Sequence, residues 1–230
     1  MPILGIETAT SHASVALAVR AGVLMQIELT RRSAHARDLM ARIDEAIRGS
    51  GMTIDALRGV AVAVGPGSFT GVRVGMATAK GLGYSLGVGV AGLSTLEAVA
   101  RAVGLARSAA EPLSVCCAIE AGRGEVYAAT FRLGAGRVER ECEDRSWRPT
   151  DLALALAGRA ALAGDGAATV REAGRALGRD LTVLEDRPLA AGAIALWGWE
   201  ALPAGSRYAP GTLGPNYVRP SDAEAARRKA

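Results

Sequence analysis

Aromatic side chains are scarce in this chain: three Trp, four Tyr and two Phe make up 4% of its 230 residues, although half of the residues are hydrophobic. The core must be filled by Ala, Val, Leu and Gly, whose small side chains allow elements to pack at short range. Histidine is scarcer still. His12 and His35 are the only two, 23 positions apart, so the chain holds neither His-x-x-x-His nor His-Glu-x-x-His. The three cysteines, Cys116, Cys117 and Cys142, lack zinc-ligand spacing, and adjacent Cys116 and Cys117 point to opposite faces of a strand. These absences leave a metallopeptidase nothing to stand on, argue against a disulfide framework and fit a reducing compartment. No Gly-x-Ser-x-Gly elbow supports a hydrolase. No apolar run approaches the roughly 20 residues that span a bilayer, and the segment Met1–Ile6 lacks a basic region ahead of its short apolar stretch, so a cytoplasmic protein is expected.

Lysine is nearly missing as well. Only Lys80 and Lys229 stand among 27 basic residues, and the net charge is +4. Arginine and acid are interspersed along the helices, with no basic block carrying stacking aromatics; this distribution leaves direct tRNA contact open.

The apolar pattern predicts strands at Ile3–Thr8, Ser14–Arg20 and Val23–Leu29, then a helix over Ala36–Arg48 with Ala36, Met40, Ile43 and Ile47 on one stripe. His35 stands at the start of that helix. A strand Val60–Val64, a helix Phe69–Leu86, a strand Val88–Ala91 and a helix Ser94–Val103 follow. The second half repeats the plan: strands Leu113–Glu120, Glu125–Leu133 and Val138–Glu143, helix Asp151–Leu156, strand Ala160–Ala163, a helix to Leu177, strand Leu181–Leu184 and helix Leu189–Leu202. A duplicated βββαβαβα order predicts an α/β protein of actin-like (ASKHA) architecture with two lobes, 1–104 and 105–204, and an extended C-terminal arm, 205–230.

The turn Gly65-Pro66-Gly67-Ser68 opening the long helix invites a phosphate-loop reading, but each specific version fails. A Walker A loop needs Lys-Ser/Thr after its last glycine, where Val72-Arg73 stand. The dinucleotide fingerprint needs glycine at Thr70. The helix instead carries Gly71, Gly75, Ala79, Gly83 and Gly87 at four-residue spacing, a stripe almost without side chains that another backbone can approach closely. That backbone is either this chain's own sheet or a helix of another chain. Clustered hydroxyls at Thr8, Thr10 and Ser11 are candidates for a nucleotide phosphate, or are ordinary turn residues satisfying local backbone. Glu120 and Glu125 flank the second hairpin as a candidate acid pair or as solvated carboxylates.

Gly65-Pro66-Gly67-Ser68-Phe69-Thr70-Gly71-Val72-Arg73 with Gly75 and Ala77, then Gly92-Leu93-Ser94-Thr95-Leu96, resembles the bacterial TsaB (YeaZ) family. Ile6-Glu7-Thr8-Ala9-Thr10, Gly124-Glu125-Val126-Tyr127 and Pro215-Asn216-Tyr217-Val218-Arg219 extend the resemblance over most of the chain. It implies an actin-like fold and a part in making N6-threonylcarbamoyladenosine next to the anticodon of ANN-reading tRNAs. It also implies a heterodimer with the similar catalytic subunit TsaD, a TsaE-like ATPase as a further partner, and a homodimer when alone. The metal-binding His-x-x-x-His of TsaD-like proteins falls here on Ser94 and Ala98, so no metal, no catalysis and no cofactor of its own are expected, with ATP at a site shared with the partner. The helix pair would meet TsaD through Met40, Ile43, Ile47, Phe69, Val72, Gly75, Met76, Ala79 and Gly83. The alternatives are an autonomous actin-like ATPase or small-molecule kinase and, far behind it, a glycoprotein peptidase.

Overall fold

The computed structural model describes residues 1–29, 36–107, 112–156, 160–184, 189–207, 209, 211 and 213–219. Strands β1 (Ile3–Glu7), β2 (Ser14–Val19) and β3 (Gly22–Glu28) form the expected antiparallel meander. Helix α1 (Ala36–Gly49) follows, then β4 (Gly59–Ala63), α2 (Phe69–Leu86) and β5 (Gly89–Leu93), with β4 parallel to β1 and β5 parallel to β4. The sheet order is β3-β2-β1-β4-β5. Helix α3 (Thr95–Arg107) leads to the second meander, β6 (Leu113–Gly122), β7 (Glu125–Gly134) and β8 (Arg137–Arg140). Then come β9 (Arg145–Trp147), α4 (Pro149–Leu156), β10 (Ala161–Ala163), α5 (Ala167–Ala176) and α6 (Ala190–Ala201). The second sheet runs β10-β6-β7-β8, with β9 pairing β7.

Two expected strands come out differently. The third strand of the second meander breaks after Arg140: Glu141 still donates to Thr130 O, but the Thr130 amide donates to Cys142 Sγ in place of a carbonyl, and pairing resumes only at β9. Leu181–Leu184 is a single parallel bridge, Leu162 to Val183, held by the Leu162 and Leu184 amides. Three-residue β10 is too short a template for more. The end of the expected C-terminal arm, from Pro220 onward, lies outside the described residues.

The halves of the sequence interlock. Both faces of the first sheet are covered, which is why β1 and β4 read as near-continuous apolar runs. Leu4, Ile6, Val60 and Val62 face α1 and α2, and Ile3, Ala61 and Ala63 face α6, the last helix of the second half. In exchange α3, the last helix of the first half, packs Leu96, Ala100 and Val103 on the second sheet. A division at 104/105 is therefore one of sequence, with each lobe completed by a helix from the other half. Alanine and glycine make the exchange tight: a Cβ on Gly5 would lie 2.1 Å from the Ala191 carbonyl oxygen, and one on Gly198 would lie 2.8 Å from Ile3.

Candidate interlobe site and docking face

Ser68 caps α2 through its hydroxyl, which accepts from the Gly71 amide (3.2 Å), and left-handed Gly87 ends the helix. The small-residue stripe between these caps faces inward. A Cβ on Gly71 would lie 1.9 Å from Thr8 O, and one on Gly75 would lie 2.3 Å from Thr8 Oγ1. The stripe thus brings α2 against the end of β1, and this corrects the docking surface expected from it. Gly75, Ala79 and Gly83 are buried in this chain, as are Val72, Met76, Ile43 and Ile47. Of the nine residues expected to meet a partner, Met40 and Phe69 are substantially exposed, 42% and 40%.

The turn between β1 and β2 uses its donors internally. Thr8 Oγ1 donates to Gly71 O (2.7 Å), Thr10 Oγ1 to Glu7 Oε2 (2.8 Å) and Ser11 Oγ to Asp165 Oδ2 (2.7 Å). The amides of Ala9 and Thr10 donate to Glu7 Oε1, that of Ser11 to Asp165 and that of His12 to Thr10 Oγ1. A phosphate needs free donors, and the three hydroxyls have none to give. Glu7 is fully buried; desolvation pushes its carboxyl up to about 7 against the pull of its three donors, and the Asp165 charge adds to the rise.

Asp165 belongs to the Gly164-Asp165-Gly166 turn between β10 and α5. Its other oxygen accepts from the Glu120 amide (3.1 Å), so one carboxylate joins the turns of both meanders. Glu120 and Glu125 do not act as a pair: Glu120 accepts from Thr169 Oγ1 (2.6 Å), and Glu125 accepts from Ser146 and Arg219. The Ser146 hydroxyl first, then Arg219, hold the Glu125 carboxyl below its usual range.

Ser94 and Ala98 are the two positions that the resemblance aligns with the metal histidines of TsaD-like proteins. Ser94 Oγ donates to Asp144 Oδ2 (2.8 Å), and Ala98 is buried. Asp144 also accepts from Arg140 Nη1 (2.5 Å) and from Asn216 Nδ2 (2.8 Å). Nothing in the charged run Glu141–Asp144 singles Asp144 out. Among the described residues no group of three His, Cys, Asp or Glu is placed to hold a metal, and no helix is long and apolar enough to cross a membrane. His12 pairs with Glu28 at 3.2 Å, and His35 lies outside the described residues.

The outward face of α2 is a different surface. Arg73, Ala77 and Gly81 line it, Tyr84 projects from it with 78% exposure, and beyond the adjoining backbone of α2 no atom of the described residues lies within 4 Å of where a Gly81 Cβ would be. The helix carries Arg73 and Lys80 and no acid. At its start the Phe69 ring stacks on Tyr217 (centroids 5.4 Å apart), and the Arg73 guanidinium lies 3.7 Å above Phe69 while Nε donates to Tyr217 Oη (3.0 Å).

Two sheets, each begun by a meander, exchanged terminal helices and meander turns joined through Asp165 make up an actin-like fold. The family model of tRNA N6-adenosine threonylcarbamoyltransferase (TsaD) matches residues 23–174, and the chain belongs to that family. Within it the chain belongs to the TsaB (YeaZ) group. It is 36% identical over 127 residues to the tRNA threonylcarbamoyladenosine biosynthesis protein TsaB of Haemophilus influenzae, a match over 55% of this chain and 52% of that protein; the match thus spans about half the length of such relatives. An uncharacterised protein of Mycobacterium tuberculosis is 30% identical over 96% of this chain and 93% of its own length. The fold matches that of YeaZ from Pseudomonas aeruginosa with a TM-score of 0.73 at 23% identity, over 94% of this chain and 99% of that one.

Proposed function

We propose that this chain is a non-catalytic partner subunit of a TsaD-type enzyme that forms N6-threonylcarbamoyladenosine in tRNA, docking through the outward face of α2 together with Met40 of α1. The single observation that supports this reading most is the contrast between two surfaces. The turn that would meet a nucleotide in an actin-like cleft has its hydroxyl protons and its amides from Ala9 to His12 directed at the protein itself. The face of α2, in contrast, exposes aromatic residues around a small-residue centre. Exposed aromatic and arginine side chains around a close-approach centre are the composition of binding hot spots, and Arg73 and Lys80 fit an acidic partner surface. Nucleotide then belongs to a site shared with the partner, and the same face serves a second copy when the partner is absent.

Reconstitution tests the reading. Threonylcarbamoylation of tRNA by the TsaD-family subunit of the same organism should require this chain. Ala77→Trp should abolish both the complex on size exclusion and the activity without lowering the thermal midpoint of the free chain. Activity that is independent of the chain, or a complex that survives Ala77→Trp with Gly81→Arg, overturns it.

A further inference from the structure

The C-terminal arm touches both lobes within seven residues. Leu213 packs beside Gly92, where a Cβ would lie 2.3 Å from its Cδ1. The Asn216 amide donates to Val64 O (2.7 Å) at the end of β4, and its carbonyl lies 2.8 Å from where a Cβ on Gly65 would be, so the glycine turn is shaped around the arm. The Asn216 side chain donates to Asp144 of the second lobe. Tyr217 returns to the first lobe and stacks on Phe69. Val218 packs against the core of the second sheet, and Arg219 donates to Glu125 Oε2 (2.7 Å) and Ala121 O (3.3 Å) on the β6–β7 hairpin.

We propose that residues 213–219 form a clasp that joins the outward face of α2 to the β6–β7 hairpin of the other lobe, so that a contact made at Phe69 is felt at that hairpin. The geometry leaves no slack. Two residues lead from Tyr217 to Arg219, a reach of at most ~7 Å, and each is held by its own lobe, Tyr217 at Phe69 and Arg73 and Arg219 at Glu125 and Ala121. The stack is open at one end: Phe69 and Tyr217 are 40% and 42% exposed, so a protein covering α2 covers the near end of the clasp. Covering it strengthens the Arg73–Tyr217 contact by excluding water, and by reciprocity a closed clasp favours docking. The docking reading supplies the occupant of α2; the clasp itself stands on contacts within the chain.

The test therefore uses the isolated chain, and its failure is distinct from failure of complex formation. Phe69→Ala removes an exposed ring and should leave the far-ultraviolet circular dichroism unchanged. It should speed hydrogen exchange of the amides from Glu120 to Val126, in the other lobe, about tenfold, the size expected for loss of one aromatic pair. Arg219→Gln cuts the far end without touching α2 and should do the same, and the double variant should exchange little faster than either alone, because the two cuts open one device. Hairpin exchange that stays at the wild-type rate in Phe69→Ala overturns the proposal, and so does strict additivity of the two effects.

Discussion

Glu7 ends β1 with its carboxylate fully buried, facing the Ala9 and Thr10 amides, the Thr10 hydroxyl and, at longer range, Asp165. Replacing it with glutamine keeps the shape. The amide oxygen accepts from the two backbone amides, and the NH2 group donates to Thr10 Oγ1, whose rotor reverses. In the unfolded chain the carboxyl ionises near 4.5, whereas in the fold burial delays ionisation until about 7. Between those values the folded state holds the extra proton, so stability falls as pH rises from 4.5 through 7 and is level beyond. At about 1.4 kcal/mol for each tenfold in proton affinity, the whole loss amounts to about 3 kcal/mol. Glu7→Gln removes the titration. Urea midpoints of both proteins at pH 5, 6, 7 and 8 should therefore diverge, with the variant gaining up to about 3 kcal/mol on the wild type across the series. Every other titrating group is common to both proteins and cancels in the difference. A difference that stays constant from pH 5 to pH 8 refutes the reasoning.

Asp165→Ala leaves the Ser11 and Glu120 amides without their shared acceptor and should cost about 2 kcal/mol in urea unfolding, with faster exchange at both turns. Gly5→Ala forces α6 off the sheet, since the new Cβ meets backbone of Ala191 and Ala195, and should cost about 3 kcal/mol, a fall of about 9 °C in Tm by calorimetry. Burial pushes the Cys116 thiol up to about 12 and Cys117 well up, so a thiol reagent at pH 8 should titrate one cysteine, exposed Cys142, in the native chain and three after denaturation. Gly81→Ala should stabilise the free chain by about 0.5–1 kcal/mol and weaken its complex with the TsaD-family subunit.

The meanders, the helices and the duplication were legible because period 2 gives way to period 3.6 at clear glycine and proline boundaries. The exchange of α3 and α6 was not, since periodicity reports which face of a helix is buried and nothing about which sheet buries it. The Leu181–Leu184 bridge was overread for a related reason: an apolar run predicts burial, and its ladder depends on a three-residue neighbour. At the interlobe site the sequence exposed two short motifs, Thr8–Ser11 and Pro215–Arg219. It did not expose their joins, because the partners of Ser11 and Arg219 lie about 154 and 94 positions away along the chain. For the glycine stripe of α2 the sequence left two neighbours open, this chain's own backbone or another chain's, and the structure shows the first. Spacing of four says that something comes close, and only the opposing carbonyl of Thr8 says what.

That same reasoning gives Gly81 its weight. Gly71 and Gly75 are required by backbone and side-chain atoms of this chain, which would meet a Cβ at 1.9 and 2.3 Å. Around the Cβ position of Gly81, beyond its own helix backbone, no atom of the described residues lies within 4 Å. A glycine in the interior of an exposed helix costs roughly 1 kcal/mol against alanine, and here no contact within the described residues offsets it. Ala77, one turn earlier, is likewise small and exposed, and Tyr84 stands beyond with 78% of its surface open. A helix that is small on its inner side for its own sheet and small again on its outer side leaves room for a second close neighbour, which the proposed partner would supply. Gly81→Ala separates the two demands: the propensity gain acts on the free chain, the added methyl on the complex. Free-chain stability rising while affinity falls supports a partner backbone seated at Gly81; affinity that holds or improves means the outer face is contacted by long side chains, and the docking geometry moves toward Phe69 and Met40.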